Sequence, residues 1–441
     1  MIQQGTKLLC EVTGSTVTIQ SKIGQGGQGI VYKVSDGKQQ YALKWYNAEQ
    51  SNESQKEALR FLIQHGAPKG AAGKRFVWPV DLVVSKSSSQ FGYIMPLMNL
   101  DRYASMMEVW SRRKPAPLIR EMCEVSYQIA NSYRALHLEG LCYRDVSSGN
   151  FVFDPQTGDV LICDNDNVGI DQQSLSQVRG TWPYMAPEVV KRGAKPSTKT
   201  DLHSLAVLLF QFWLRHHPLE GKIESSVRCW DDPAKRQIYG EMPIFIFDPQ
   251  DQRNKLPNSP DYQLVQSRWQ HCPPPLQEMF MRAFTLGLHK PDQRVTEGEW
   301  QNLFSQMMDL VLDCPSDGKQ NFSNPRSKSV TCWKCNTPFS VPPKLLVQTA
   351  SGQRCLLLSK NAQLLGRHLQ PLSEEKAADV VGQVVQNPSD PAVWGLRNLS
   401  ATPWIVTFPD GTSQPVPPQR AAPFVADLKI QIGQTVAQIL I

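Results

Sequence analysis

The sequence predicts an α+β protein, with a larger part that mixes strands and helices followed by a smaller all-β part. Three observations lead there. The chain has 441 residues, about three times the roughly 150 residues of a typical domain, so two or three domains are expected. Strand and helix periodicities are well formed from about residue 15 to 310. Beyond them, residues 313–331, DCPSDGKQNFSNPRSKSVT, are polar and rich in Ser, Pro and Asn, as a linker is, and short apolar runs punctuated by NPSDP, PDG and PVPP then follow.

Composition narrows the class. Hydrophobic residues make up 41% and charged residues 20%, and 28 Gly with 33 Pro fall well short of a disordered or collagen-like polymer. The net charge of +6 is spread along the chain, which gives no argument for a nucleic-acid partner. Ten irregularly spaced cysteines fit a reducing compartment better than a disulfide scaffold. The opening MIQQGTKLLCEV lacks a charged segment followed by an apolar run, and the longest apolar run, Leu205 to Leu214, is broken by Gln211 and too short to span a bilayer. A cytoplasmic protein without a membrane partner is expected.

TVTIQSKIGQGGQGIVYKV, from Thr16 to Val34, reads as strand, glycine turn, strand, with Gly24, Gly26 and Gly29 in GxGxxG spacing followed by Val31. Glycines let backbone NH groups approach a phosphate closely, and the strand-like IVYKV after the turn disfavours a Rossmann unit, which needs a helix there. YALKWY places Lys44 at an exposed alternation of an apolar strand, within reach of a nucleotide's phosphates. ESQKEALRFLIQHG reads as an amphipathic helix whose Glu57 is expected to pair with Lys44, with Glu53 as competitor.

LHLEGLCYRDVSSGNFVFD then sets Asp145 and Asn150 in a loop between a helix and an apolar hairpin. The carboxylate can accept a hydrogen bond from a substrate hydroxyl, and the amide oxygen can ligate magnesium. VLICDNDNVG ends a strand with Asp164 and Asp166. Asp164 is the preferred metal ligand because Val160 and Ile162 then face inward at period two, while Asp166 stays as an alternate.

Over about residues 15 to 310 these ordered motifs resemble the eukaryotic-type Ser/Thr protein kinase family. The resemblance implies a two-lobed catalytic domain over 1–312, its first lobe reaching about residue 98, and ATP with Mg2+ or Mn2+ as cofactors. It implies that the glycine loop covers ATP, that Lys44 contacts the phosphates and pairs with Glu57, and that Asp145 and Asn150 are base and metal ligand. FGYIMPLMN resembles the fifth strand and hinge, with Met95 as gatekeeper and Leu97 and Met98 beside the adenine. GTWPYMAPE resembles the substrate loop, with Thr181 near the base and Glu188 pairing with Arg294 of KPDQRVT. TDLHSLAVLLF resembles the buried central helix, with Asp201 bracing the catalytic loop. Ser174 and Ser176 lie in the activation segment, and Arg144 is placed to clamp a phosphate on it.

Three departures from the family pattern stand out. Tyr143 replaces the usual His, Ser147 replaces a lysine expected near the transferring phosphate, and Asp164-Asn165-Asp166 replaces DFG. An active kinase is expected, and the competing reading is a pseudokinase that binds nucleotide as a scaffold. Residues 218–275 form an insertion-like segment.

After the linker, 313–330, Cys332-Trp-Lys-Cys335 resembles a zinc knuckle spanning 331–344. Cys355, Cys314 and His368 are the remaining candidates to complete a Zn2+ site, and free thiols are the alternative. Residues 345–441 resemble a forkhead-associated-like β-sandwich through GRH at 366–368, NLS at 398–400 and IQIGQ. That likeness implies phosphothreonine binding by Arg367 and Ser400, while docking without phosphate stays open. The whole arrangement resembles bacterial kinases of tellurite-resistance-associated phosphorylation triads. It implies stress signalling with a PP2C-type phosphatase and a von Willebrand A-like protein as partners.

Overall fold

The computed structural model describes residues 2–172, 180–349, 352–369 and 377–441. The chain divides into two units: 1–117 with 125–301, and 118–124 with 302–441.

The first unit begins with six antiparallel strands, β1 (Lys7–Cys10), β2 (Thr16–Gln25), β3 (Gly29–Ser35), β4 (Gln40–Tyr46), β5 (Asp81–Ser85) and β6 (Ser88–Pro96). They close into a barrel in the order β1-β2-β3-β4-β6-β5, with β1 completing the circle by pairing Leu9 with Val84. Side chains alternate along a strand, so one set, including Val17, Ile19, Tyr32, Val34, Leu43 and Trp45, fills one apolar cluster. The alternate residues Ala42, Tyr46, Phe91 and Tyr93 build a second cluster with Leu59 of helix α1 (Glu53–His65). Both faces of β4 are thereby covered, and Lys44 is buried at 5% exposure rather than exposed as the alternation predicts. The turn after β1 is fastened by Asp81, whose fully buried carboxylate accepts from the Val12 and Thr13 amides at 2.9 and 3.0 Å.

Helices then dominate: α2 (Ile119–Leu138), α3 (Thr198–Leu214), α4 (Pro274–Phe284) and α5 (Glu297–Asp309). Ser197 opens α3 with a capping box to Thr200, and the helix is apolar all round because its surroundings bury it. Phe210 meets the rings of Phe245, Phe280 and Phe284 at 5.1–5.6 Å, which anchors the insertion-like segment on α3 and α4. Four short strands frame the site. These are β7 (Leu141–Cys142), paired with β10 (Gly169–Ile170), and β8 (Phe151–Phe153), paired with β9 (Val160–Ile162).

The second unit begins its strand structure with two hairpins, β11 (Val311–Asp313) with β12 (Gln320–Phe322), and β13 (Ser329–Thr331) with β14 (Pro338–Ser340). The stretch expected to be a linker is therefore structured. Its polar residues serve turns and hydrogen bonds, as when buried Asn321 donates to the Lys319 carbonyl at 2.7 Å. Among the described residues, 344–440 form ten antiparallel strands: β15 (Lys344–Thr349), β16 (Gly352–Leu357), β17 (Gln363–Leu365), β18 (Val380–Gln386), β19 (Trp394–Asn398), β20 (Trp404–Thr407), β21 (Ser413–Val416), β22 (Ala421–Pro423), β23 (Lys429–Ile432) and β24 (Thr435–Leu440). One sheet runs β16-β15-β24-β23-β20-β21 and the other β17-β18-β19-β22. They enclose a single core around the fully buried Trp404. A Cβ at Gly382 would come within 2.8 Å of that ring, so the close approach needs glycine. Among the described residues no helix is long and apolar enough to cross a membrane.

Candidate active site

The loop from Tyr143 to Asn150 joins β7 to β8, and its shape is imposed from beneath by Asp201 of α3. That buried carboxylate accepts from the backbone amides of Tyr143 at 2.5 Å and Arg144 at 3.0 Å. Asp145 is thereby presented with both oxygens engaged. Oδ1 accepts from the Thr181 hydroxyl at 2.7 Å and Oδ2 from the Asn150 amide at 2.9 Å. Because the Asn150 NH2 is spent on Asp145, its amide oxygen is the atom left for a cation. The Cys163 amide donates to the Asn150 carbonyl at 2.8 Å, which holds the adjoining Asp164 beside this loop. A small pocket next to Asp145 is lined by Thr181, Tyr184, Met185 and Ser204.

Lys44 faces this loop from β4. Its ammonium donates to Asp166 at 2.9 and 3.1 Å and to Gln28 of the glycine turn at 2.7 Å, with Asp164 at 3.6 Å. Burial works against its charge, but the two carboxylates outweigh burial and hold its pKa above the ordinary lysine value. Asp166 also accepts from Tyr46 Oη at 2.5 Å, which in turn accepts from Gln55 of α1 at 3.0 Å. The two acids have separate surroundings: the Asp166 side chain is 1% exposed and the Asp164 side chain 43%. Desolvation at the cleft floor raises the Asp164 pKa, a rise opposed by Lys44 and reinforced by Asp166. Beside Lys44, Val31, Leu97, Met98 and Cys163 pack against buried Ala42 and Met95 as an apolar wall. Gly29 is required by packing, since a Cβ there would lie 2.2 Å from the Trp45 carbonyl oxygen.

The family model for the protein kinase domain matches residues 17–273, more than half of the chain. The chain belongs to the protein kinase family. Similar proteins include serine/threonine-protein kinase mos of Xenopus laevis, 26% identical over 231 residues that cover 48% of this chain and 61% of that one. Mitogen-activated protein kinase kinase kinase 7 of Drosophila melanogaster is 25% identical over 237 residues, 53% of this chain and 32% of the relative. The chain thus spans about a third to three fifths of the length of these curated relatives.

Glu188 and Arg294 meet in a bidentate pair at 2.8 Å for both contacts. Glu57 does not take the position expected of it. The buried face of α1 is set by Leu59 and Leu62, and Glu57, two residues before Leu59, points to solvent. Gln55, one turn before Leu59, occupies the inward face, and its i−4 spacing was the available signal. Arg144 is 8% exposed and donates to the Ile170 carbonyl at 3.3 Å, with Gly169 leaving room for its guanidinium. Ser174 and Ser176 lie outside the described residues. Ser147 is buried, and its carbonyl accepts from the Asn150 amide at 3.2 Å.

In the second unit, Cys332 and Cys335 meet Cys314 and an acid that is absent from the expected ligand set, Asp317. His368 is instead bonded to Asp309 at 3.1 Å, and Cys355 lies in β16 opposite Leu346. Arg367 and Ser400 are both engaged internally. Arg367 sits 3.7 Å from Asp309, and the Ser400 hydroxyl donates to Asn398 at 2.7 Å while accepting from Trp404 Nε1 at 3.1 Å. This geometry gives the phosphothreonine expectation no support, because an anion at Arg367 would compete with a carboxylate already in place.

His137 of α2 ties the loop from Tyr143 to Asn150 to pH. It bonds Asp201 at 3.1 Å and also Glu297, and although burial disfavours its charge, these two carboxylates raise its pKa to about 9. The raised value means the protonated form stabilises the fold fully below the unfolded pKa of about 6.5, and that this stabilisation is lost as pH rises through about 9. Denaturant titrations should show a loss on the order of 1–3 kcal/mol across this window. His137→Gln should flatten it, and parallel pH profiles for the two proteins would refute the assignment.

Proposed function

We propose that the chain transfers the γ-phosphate of ATP to a serine or threonine hydroxyl of another protein. The observation that carries this reading is Asp145, held by Asn150 on one oxygen while the other accepts a hydroxyl hydrogen bond at 2.7 Å. A substrate hydroxyl in the same relation would pass its proton to Oδ1 as its oxygen attacks the phosphorus. Lys44 would pair with the phosphates beneath the turn from Gly24 to Gly29, exchanging its bond to Gln28 for one to the nucleotide. The apolar wall of Val31, Met95, Leu97 and Met98 would hold the adenine.

The donor set fits a magnesium ion, because Asn150 and Asp164 offer oxygen atoms at one end of the cleft with Asp166 behind them. The bound ion would neutralise charge on the phosphates. The replacement of lysine by Ser147 removes one cation from this end and supports a greater reliance on the metal. A partner protein of the phosphatase or von Willebrand A-like type is the acceptor that the resemblance to bacterial triads favours.

The test is incubation of the purified chain with labelled ATP, magnesium and candidate acceptors, with mass-spectrometric mapping of the product. Phosphoserine or phosphothreonine formed by wild type and lost in Lys44→Ala supports the proposal. Tight ATP binding with no more transfer than Lys44→Ala would replace it with a nucleotide-binding scaffold.

A further inference from the structure

Residues 311–340 hold two hairpins with very little apolar core. Their buried apolar side chains are Val311, Leu312, Cys314 and Cys332, which is too few to fix two separate hairpins. Something else must join them. The two turns are copies of one local motif. In the first, the Cys314 amide donates to the Lys319 carbonyl and the Gly318 amide to the Cys314 carbonyl, at 2.8 and 2.9 Å. In the second, the Cys332 amide donates to the Thr337 carbonyl and the Asn336 amide to the Cys332 carbonyl, at 2.9 and 3.0 Å. Gly318 and Asn336 occupy the same place in each turn with φ of 68° and 59°, a left-handed conformation that these two residue types adopt readily. In both turns the side chains one position before that residue and four positions before it point the same way: Asp317 with Cys314, and Cys335 with Cys332.

The four ligand atoms lie within 4.8 Å of one another. Cys314 Sγ and Cys335 Sγ are 3.7 Å apart, and Cys332 Sγ is 3.7 Å from Asp317. A tetrahedral zinc ion with bonds of about 2.3 Å to sulfur and about 2.0–2.2 Å to oxygen has edges of roughly 3.5–3.8 Å. The observed separations match such edges. Outer support is also in place, since the Lys334 amide points at Cys332 Sγ at 3.4 Å. The amide of buried Asn321 reaches the same sulfur at 3.6 Å while its oxygen accepts from the Trp333 amide at 3.1 Å.

We infer that Cys314, Asp317, Cys332 and Cys335 bind one structural zinc ion, which clamps the two hairpins together. On binding, the three thiols release their protons to solvent and the ion takes three thiolates and one carboxylate. The site is independent of the phosphotransfer proposal, because it uses none of those residues and its readout is metal content.

The experiment is metal analysis of the full chain purified without chelators, followed by cobalt substitution. Wild type is expected to carry about one zinc per chain. Asp317→Ala should weaken zinc affinity by more than the roughly 10–100-fold that loss of an outer-shell partner costs. Cobalt should give a tetrahedral spectrum with three-thiolate charge-transfer intensity, and Asp317→Cys should raise that intensity while keeping the metal. Serine at Cys314 or Cys332 can also disturb folding, so the Asp317→Cys spectrum carries the decision. Metal-free wild type that takes up no cobalt would overturn the inference. So would bound iron in place of zinc, a disulfide detected by intact mass, or a cobalt spectrum unchanged by Asp317→Cys.

Discussion

Asp145→Asn is expected to lower the phosphotransfer rate by about 10²–10⁴-fold while changing nucleotide affinity little. The magnitude is that of a lost general base. The affinity is spared because Lys44 and the apolar wall, which would hold the nucleotide, do not depend on this carboxylate for position. Asparagine keeps one carbonyl oxygen for the Thr181 hydroxyl, now 2.7 Å from Oδ1, but cannot take up a proton. Thr181→Val provides the companion measurement. It removes one hydrogen bond to a charged group, a change of about 1.5–3 kcal/mol or roughly 10–100-fold, and leaves the base in place. Single-turnover rates and equilibrium ATP binding for the three proteins decide the matter. An Asp145→Asn enzyme that transfers within threefold of wild type would remove Asp145 from its proposed role.

Asp166→Ala should cost about 3–5 kcal/mol of folding stability, the usual penalty for removing one partner of a buried ion pair. Lys44 is 5% exposed, and of its two carboxylate neighbours Asp166 supplies the close contacts at 2.9 and 3.1 Å. Its loss strands an ammonium and also leaves Tyr46 Oη without its acceptor. Asp164→Ala should change stability by less than about 1 kcal/mol, because its side chain is 43% exposed and solvent screens what it contributes. The two substitutions should nevertheless both reduce magnesium-dependent transfer. The double variant Lys44→Met with Asp166→Leu should recover most of the stability without activity, since paired apolar replacement of a buried ion pair is often neutral. Equal stability losses for Asp164→Ala and Asp166→Ala, measured by denaturant unfolding, would contradict this division of the two acids.

The kinase part was legible where function depends on residues at fixed spacing in one segment. The glycine turn and Asp145 with Asn150 are of that kind, while Asp201 and the pair of Glu188 with Arg294, 106 residues apart, were expected from the family resemblance alone. What stayed hidden required knowledge of which faces are covered. Lys44 and Asp166 are 122 residues apart, and their pairing follows from burial on the second face of β4. A period-two argument carried past Ile162 would bury both Asp164 and Asp166, but the strand ends there and Asp164 turns with φ of 49°, which leaves Asp164 partly exposed and only Asp166 buried. Glu57 was misplaced by helical phase. The β1 strand, KLLC, is too short to carry a periodic signal, and Asp317 escaped because a search for a second pair of cysteines passes over an oxygen ligand.

The barrel that β1 completes has a mechanical consequence for the domain. An open sheet can shear, and its outermost strand is a template for any extended segment that arrives. Here hydrogen bonds run around the whole circumference, so the strand bearing Lys44 keeps its height relative to Gly29 and to the strand that leads to Met98. Under the proposed nucleotide binding, the barrel would move over its ligand as a single stiff cylinder about the chain beyond Pro96.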